Sequence, residues 1–95
     1  FCFLVARAPD GRIVGMGRAI SDGVSDAYIQ DVVVLRDMRG RGIGREIVRR
    51  LTARCLEANL AWIGLIAEPD TQDFYAPLGY APMPGYQPML LGKRD

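Results

Sequence analysis

Ninety-five residues, 49% apolar and 24% charged, give the composition of one ordinary globular domain over residues 1–95, not of a disordered or fibrous chain. Twelve Lys and Arg against eleven Asp and Glu leave a net charge of +1, so no global field favours nucleic acid or an anionic membrane. Histidine is absent, which excludes Ser-His-Asp and Cys-His catalysis within these residues and removes the commonest transition-metal ligand. Cys2 and Cys55 form no C-x-x-C pattern. Neither a metal site nor a disulfide framework is expected, and a reducing, cytoplasmic setting is the default.

No apolar run approaches the ~20 residues that span a bilayer, so no membrane association is expected. The chain opens on Phe1-Cys2-Phe3, without Met or a signal pattern and already in what reads as a strand, so an upstream segment is expected. Phe1 to Arg7 is apolar and β-prone, and Pro9-Asp10-Gly11-Arg12 is a turn signal. Ile13 to Ile20 reads as a second strand in which Gly15 and Gly17 mark weakness or a close approach. Ser21 to Asp26 is a polar turn, and Ala27 to Leu35 a third strand, apolar on both faces at its end and so expected mid-sheet.

After a loop over Arg36 to Gly40, the pattern predicts a helix from Arg41 to about Ala58. Ile43, Ile47, Leu51 and Cys55 recur every four residues, with Val48 and Leu56 widening the stripe, and Glu46 stands four residues before Arg50. Leu60 to Ala67 reads as a strand parallel to the third, joined to it by this helix. Thr71 to about Ala76 predicts a short helix capped by Asp70 or Thr71 and limited by Pro77. Tyr80–Pro82 and Gln87–Leu91 predict a closing hairpin around Pro84-Gly85. The order is β-β-β-α-β-α-β-β, an α/β fold with one mixed sheet.

The segment with chemical content is Arg39-Gly40-Arg41-Gly42-Ile43-Gly44-Arg45, between a strand and an amphipathic helix. Its glycines let backbone approach a ligand, and the first helical turn offers unpaired N–H groups and the positive dipole end to an anion. Such turns also serve tight packing alone. A Walker loop is absent, and a dinucleotide fingerprint fails because Arg45 stands where its last glycine belongs.

These residues resemble the GCN5-related N-acetyltransferase (GNAT) family, whose pyrophosphate loop reads [Q/R]-x-x-G-x-[G/A], as Arg39 to Gly44 does. Phe74-Tyr75-Ala76-Pro77-Leu78-Gly79-Tyr80 matches the family's second motif, F-Y-x-x-x-G-[FY], at the expected distance. The resemblance covers essentially the whole chain and implies a GNAT-like acyl-CoA N-acyltransferase fold lacking its N-terminal strand and helices, which normally wall the acceptor pocket.

The resemblance further implies that acetyl-CoA is the co-substrate and that no metal is needed. The backbone of Val32, Val33 and Val34 would pair with the pantetheine arm, and one of their N–H groups would polarise the thioester carbonyl. Arg39, Gly40, Arg41, Gly42, Ile43, Gly44 and Arg45 would hold the pyrophosphate. Tyr75 matches the family's general acid. Tyr28 stands where several members carry a catalytic Glu, which leaves Asp31 and Glu68 as candidate bases, Asp31 the favoured one. Tyr86-Gln87 would approach the acceptor.

The implied activity is transfer of acetyl from acetyl-CoA to a primary amine, on a small molecule or a protein, by direct attack in a ternary complex. The alternative is a non-catalytic CoA-binding or regulatory module. Nucleic-acid binding by the Arg36–Arg54 segment, which holds seven of the eleven arginines, is disfavoured by the balanced charge. The family also makes a homodimer an expectation. One Lys against eleven Arg points to a bacterial, GC-rich coding bias.

Overall fold

The computed structural model describes residues 1–92. A four-stranded mixed sheet is built from β1 (Cys2–Arg7), β2 (Ile13–Ser21), β3 (Asp26–Val34) and β4 (Trp62–Gly64), in that spatial order. The first three strands are antiparallel, and β4 lies parallel to β3 after a crossover through helix α1 (Ile43–Glu57). A one-turn helix, α2 (Gln72–Tyr75), runs on into a 3-10 turn over Ala76–Leu78.

The core lies between one sheet face and α1. Ala19, Ala27, Ile29, Ile47, Leu51, Cys55 and Leu60 form it, with Cys2, Leu4 and Ala6 packed against its edge. The alternation along β1 follows from this: even-numbered residues face the helix, and Phe3 and Val5 face outward. Helix α1 packs closely over Gly17. A Cβ there would stand 2.7 Å from Ile47 Cγ2 and 3.1 Å from Leu51 Cδ1, so the residue marks a close approach and not a weak strand.

Four expectations need correction. Leu56 lies outside the buried stripe and is exposed; at about 100° per residue it sits roughly 140° around the axis from Leu51. The predicted strand over Leu60–Ala67 pairs only at Trp62–Gly64, because the chain then leaves β3. Thr71 does precede α2, but its hydroxyl donates to the Glu68 carbonyl (2.6 Å) instead of accepting from the helix.

The closing hairpin is also absent among the described residues. A turn forms, with Tyr86 N–H donating to Met83 O (3.2 Å), but its flanks are not strands. Pro82, Pro84 and Pro88 carry no N–H, so the segment lacks the donors a ladder requires.

Candidate functional site

The site begins where β3 breaks step with β2. Gln30 pairs with Arg18 and Val33 with Met16, so Asp31 and Val32 together oppose Gly17: one extra residue, a β-bulge. Asp31 takes it up with φ 58°, a left-handed conformation that Asp tolerates better than most residues. The bulge flips the alternation. Before it, Ala27 and Ile29 face α1; after it, Val32 and Val34 do, and Val33 turns outward.

The other edge of β3 is open. Pairing with β4 stops at Tyr28 and Gly64, while β3 runs six residues further. Leu35 N–H donates to Val14 O (2.8 Å), so by strand alternation the peptide groups of Val33 and Leu35 point to β2 and those of Val32 and Val34 into the opening. Of the three valines, Val32 and Val34 therefore offer backbone to a ligand there. The Val34 carbonyl already accepts from Arg39 Nε (3.0 Å), which places that guanidinium on the open edge. At the closed end the Trp62 ring lies 5.1 Å from that of Tyr28 and covers Gly64.

The loop leaving β3 makes a 3-10 turn over Arg36–Met38 and enters α1 through Gly40 (φ 81°) and Gly42 (φ 82°). A Cβ on either would meet nothing within 4 Å, so backbone conformation and not packing requires glycine there. Gly42 is the N-cap and offers no side chain. The first helical bond is Glu46 N–H to Gly42 O (3.0 Å), leaving the amides of Ile43, Gly44 and Arg45 without intrahelical acceptors. Arg41 and Arg45 are exposed beside them. Gly44 is different: a Cβ would stand 3.4 Å from the Phe74 ring, so α2 packs on this turn.

That packing brings Tyr75 to the same end of the molecule. Its ring is half-buried, edge-on to Phe74 (4.9 Å) and to Tyr80 (6.2 Å). Burial, and then the negative charge of Glu68, push its phenol above the ordinary tyrosine value. Glu68 is thus within electrostatic reach of Tyr75. Asp31 is engaged elsewhere, in an ion pair with Arg18 (2.7 Å) on the outer sheet face. Tyr86 is exposed in its turn, where its N–H donates to Met83 O.

Two relationships were not legible in the sequence. Arg18 is an ordinary strand residue until the bulge turns Asp31 toward it. Thr52 and Tyr80, 28 residues apart, share a part-buried hydroxyl–hydroxyl bond of 2.6 Å. The only available signal was that Tyr80 ends the motif that Phe74 begins. Among the described residues no group of three or more Cys, Asp or Glu could hold a metal ion.

Comparison with known proteins agrees with this geometry. Residues 1–80 match the family described as Acetyltransferase (GNAT) family. The chain is 38% identical over 71 residues to an uncharacterized N-acetyltransferase, ycf52, of Pyropia yezoensis, covering 75% of this chain and 41% of that protein. It is 41% identical over 76 residues to the chloroplastic serotonin N-acetyltransferase 2 of Oryza sativa subsp. japonica, covering 80% of this chain and 38% of that one. A putative acetyltransferase of Deinococcus radiodurans superposes with a TM-score of 0.81 at 32% identity, over 96% of this chain and 60% of its own. The chain thus spans about two fifths of the length of these sequence relatives.

Proposed function

The chain belongs to the acetyltransferase (GNAT) family, and from that membership and the open β3 edge we propose that it moves acetyl from acetyl-CoA to a primary amine in a ternary complex. The observation that carries the reading is continuity. The unpaired edge of β3 leads through one glycine-bearing loop to the unpaired amides of α1. An extended amide-bearing arm fits the first, and a diphosphate fits the second.

The donor set fits acetyl-CoA residue by residue. The amides of Ile43, Gly44 and Arg45, with Arg41 and Arg45 beside them, suit the pyrophosphate. The Val32 and Val34 peptides suit the pantetheine amides, with Arg39 leaving the Val34 carbonyl as the arm enters. An N–H of β3 at the bulge would stabilise negative charge growing on the thioester oxygen. When bound, acetyl-CoA supplies an activated acyl group.

In this reading the amine nitrogen bonds to the acyl carbon and the C–S bond breaks. Tyr75 gives its proton to the departing thiolate, and its raised pKa keeps that proton in place at neutral pH. The amine's proton goes to a carboxylate, directly or through water. Asp31 stands at the bulge and would exchange Arg18 for the ammonium; Glu68 lies on the Tyr75 side. The α1 face is closed by α1 and Phe74, so the amine, small or protein-borne, approaches from the outer face.

A thermal-shift titration with acetyl-CoA, against ATP and NADH, tests the cofactor site. At 100 times the Kd, stabilisation of about 2.7 kcal/mol is expected. Thiol release with serotonin, spermidine and a lysine peptide as probes then tests transfer. Release lost in Tyr75→Phe with binding retained supports the enzyme; binding without release from any amine supports a CoA-binding module.

A further inference from the structure

Helix α2 is a single turn with no buried residue, yet it carries the phenol that must meet a sulfur atom at a defined place. A turn this short does not hold its own geometry. Its position has to come from contacts with something rigid. Two such contacts are present, and both end on α1.

The first is Phe74, edge-on to Tyr75 and seated on Gly44 in the first turn of α1. The second is Tyr80. Its N–H donates to the Tyr75 carbonyl (3.3 Å), its ring meets the Tyr75 ring edge-on, and its hydroxyl is bonded to that of Thr52, just over two turns further along α1. Tyr75 is therefore held between two aromatic rings, each moored to the helix whose first turn is read above as the diphosphate site.

We propose that Thr52 and Tyr80 are positioning residues for Tyr75: their hydroxyl–hydroxyl bond fixes the Tyr75 phenol relative to α1 and so to the bound thioester. The proposal rests on reading Tyr75 as the proton donor. Neither Thr52 nor Tyr80 touches the reacting atoms. Their effect is on where Tyr75 stands, and misplacement by about 1 Å is enough to cost on the order of 100-fold in rate.

The surroundings of the three residues supply a readout independent of turnover. Burial and the Glu68 charge raise the Tyr75 phenol. Tyr80 is raised by burial, opposed by its bond to Thr52, with Cys55 and Tyr75 adding to the rise. If the Thr52–Tyr80 bond is lost and the turn swings out, Tyr75 gains water and titrates nearer its ordinary value.

The experiment is a pH titration of the chain labelled with [13Cζ]tyrosine, the Tyr75 resonance being assigned with Tyr75→Phe. Thr52→Val and Tyr80→Phe are each expected to move the Tyr75 resonance and bring its midpoint down toward that of free tyrosine, while Thr52→Ser, which keeps the hydroxyl, restores the parent behaviour. With an amine probe that turns over, both variants should lose ~10-fold or more in kcat and leave the acetyl-CoA KM within about twofold. Folded variants whose Tyr75 resonance and midpoint match the parent overturn the proposal. If Thr52→Val fails to fold, Tyr80→Phe, which retains the ring, decides alone. Full thiol release by Tyr75→Phe would remove the proton-donor reading while leaving the NMR result to judge the positioning.

Discussion

Asp31 and Arg18 meet at 2.7 Å at the step where β3 falls out of register with β2. Without the bulge, the 27, 29, 31 alternation would point Asp31 at α1, into the apolar core. With it, the carboxylate reaches the outer face, on the stretch of β3 whose other edge is open. One irregularity thus places a charge, rescues the core and positions two valine peptides.

Asp31→Asn is the variant that tests this carboxylate, since Asn accepts a left-handed backbone as readily. Both partners are about half exposed, so losing the pair should change stability by no more than about 1 kcal/mol. Amine-dependent thiol release should fall at least ~10-fold with acetyl-CoA affinity unchanged, as for loss of a proton acceptor. Glu68→Gln is the control: a large loss there, with Asp31→Asn fully active, would transfer the role to Glu68.

Glu46 organises the exposed face of α1. Its carboxylate accepts from Arg49 and, at 2.7 Å, from Arg50 Nε, extending the expected Glu46–Arg50 pair to two arginines. Hydrogen bonds from Arg49 and then Arg50 hold its pKa down to about 2, from 4.5. A carboxyl lowered on folding contributes stability that is present above pH 4.5 and is lost as pH falls toward 2. Thermal melts of Glu46→Gln should lack that part of the acid dependence; a parental slope between those pH values would contradict the assignment.

Gly17→Ala tests the close approach of α1. The new methyl would fall 2.7 Å from the Cγ2 methyl of Ile47, which sits on the branched Cβ close to the backbone and has little freedom to move. Overpacking of this kind costs roughly 1–3 kcal/mol. Urea melts should show the loss; an unchanged midpoint would mean that the sheet and helix separate freely.

Gly42→Ala separates conformation from packing at the head of α1. Nothing crowds the position, so the expected cost is the left-handed backbone, about 1–2 kcal/mol. If the variant relieves that strain by unwinding the first turn, acetyl-CoA affinity falls as well. Stability and Kd measured together read both effects.

Much of this arrangement was legible because two local rules agree with the global one. The four-residue spacing from Ile43 to Cys55 located α1, and Gly40, Gly42 and Gly44 located the glycine-bearing turn at its head. Tyr75 came from its motif. The bulge was not legible: Asp31 reads as a regular strand residue, and its left-handed backbone and pairing with Arg18 appear only when two strands are counted against each other. The extent of β4 was equally hidden, since Leu65 to Ala67 are as apolar as the residues that pair, and only the divergence from β3 ends the strand. Thr52 and Tyr80 meet through tertiary packing alone.

The most direct test of the central claim is amide NMR of the chain titrated with acetyl-CoA. The account predicts saturable shifts at Val32 and Val34 and across Gly40 to Arg45, reproduced by CoA and absent with NADH. Acetyl-CoA that leaves these amides in place, or shifts only residues away from the β3 edge and the head of α1, would contradict it.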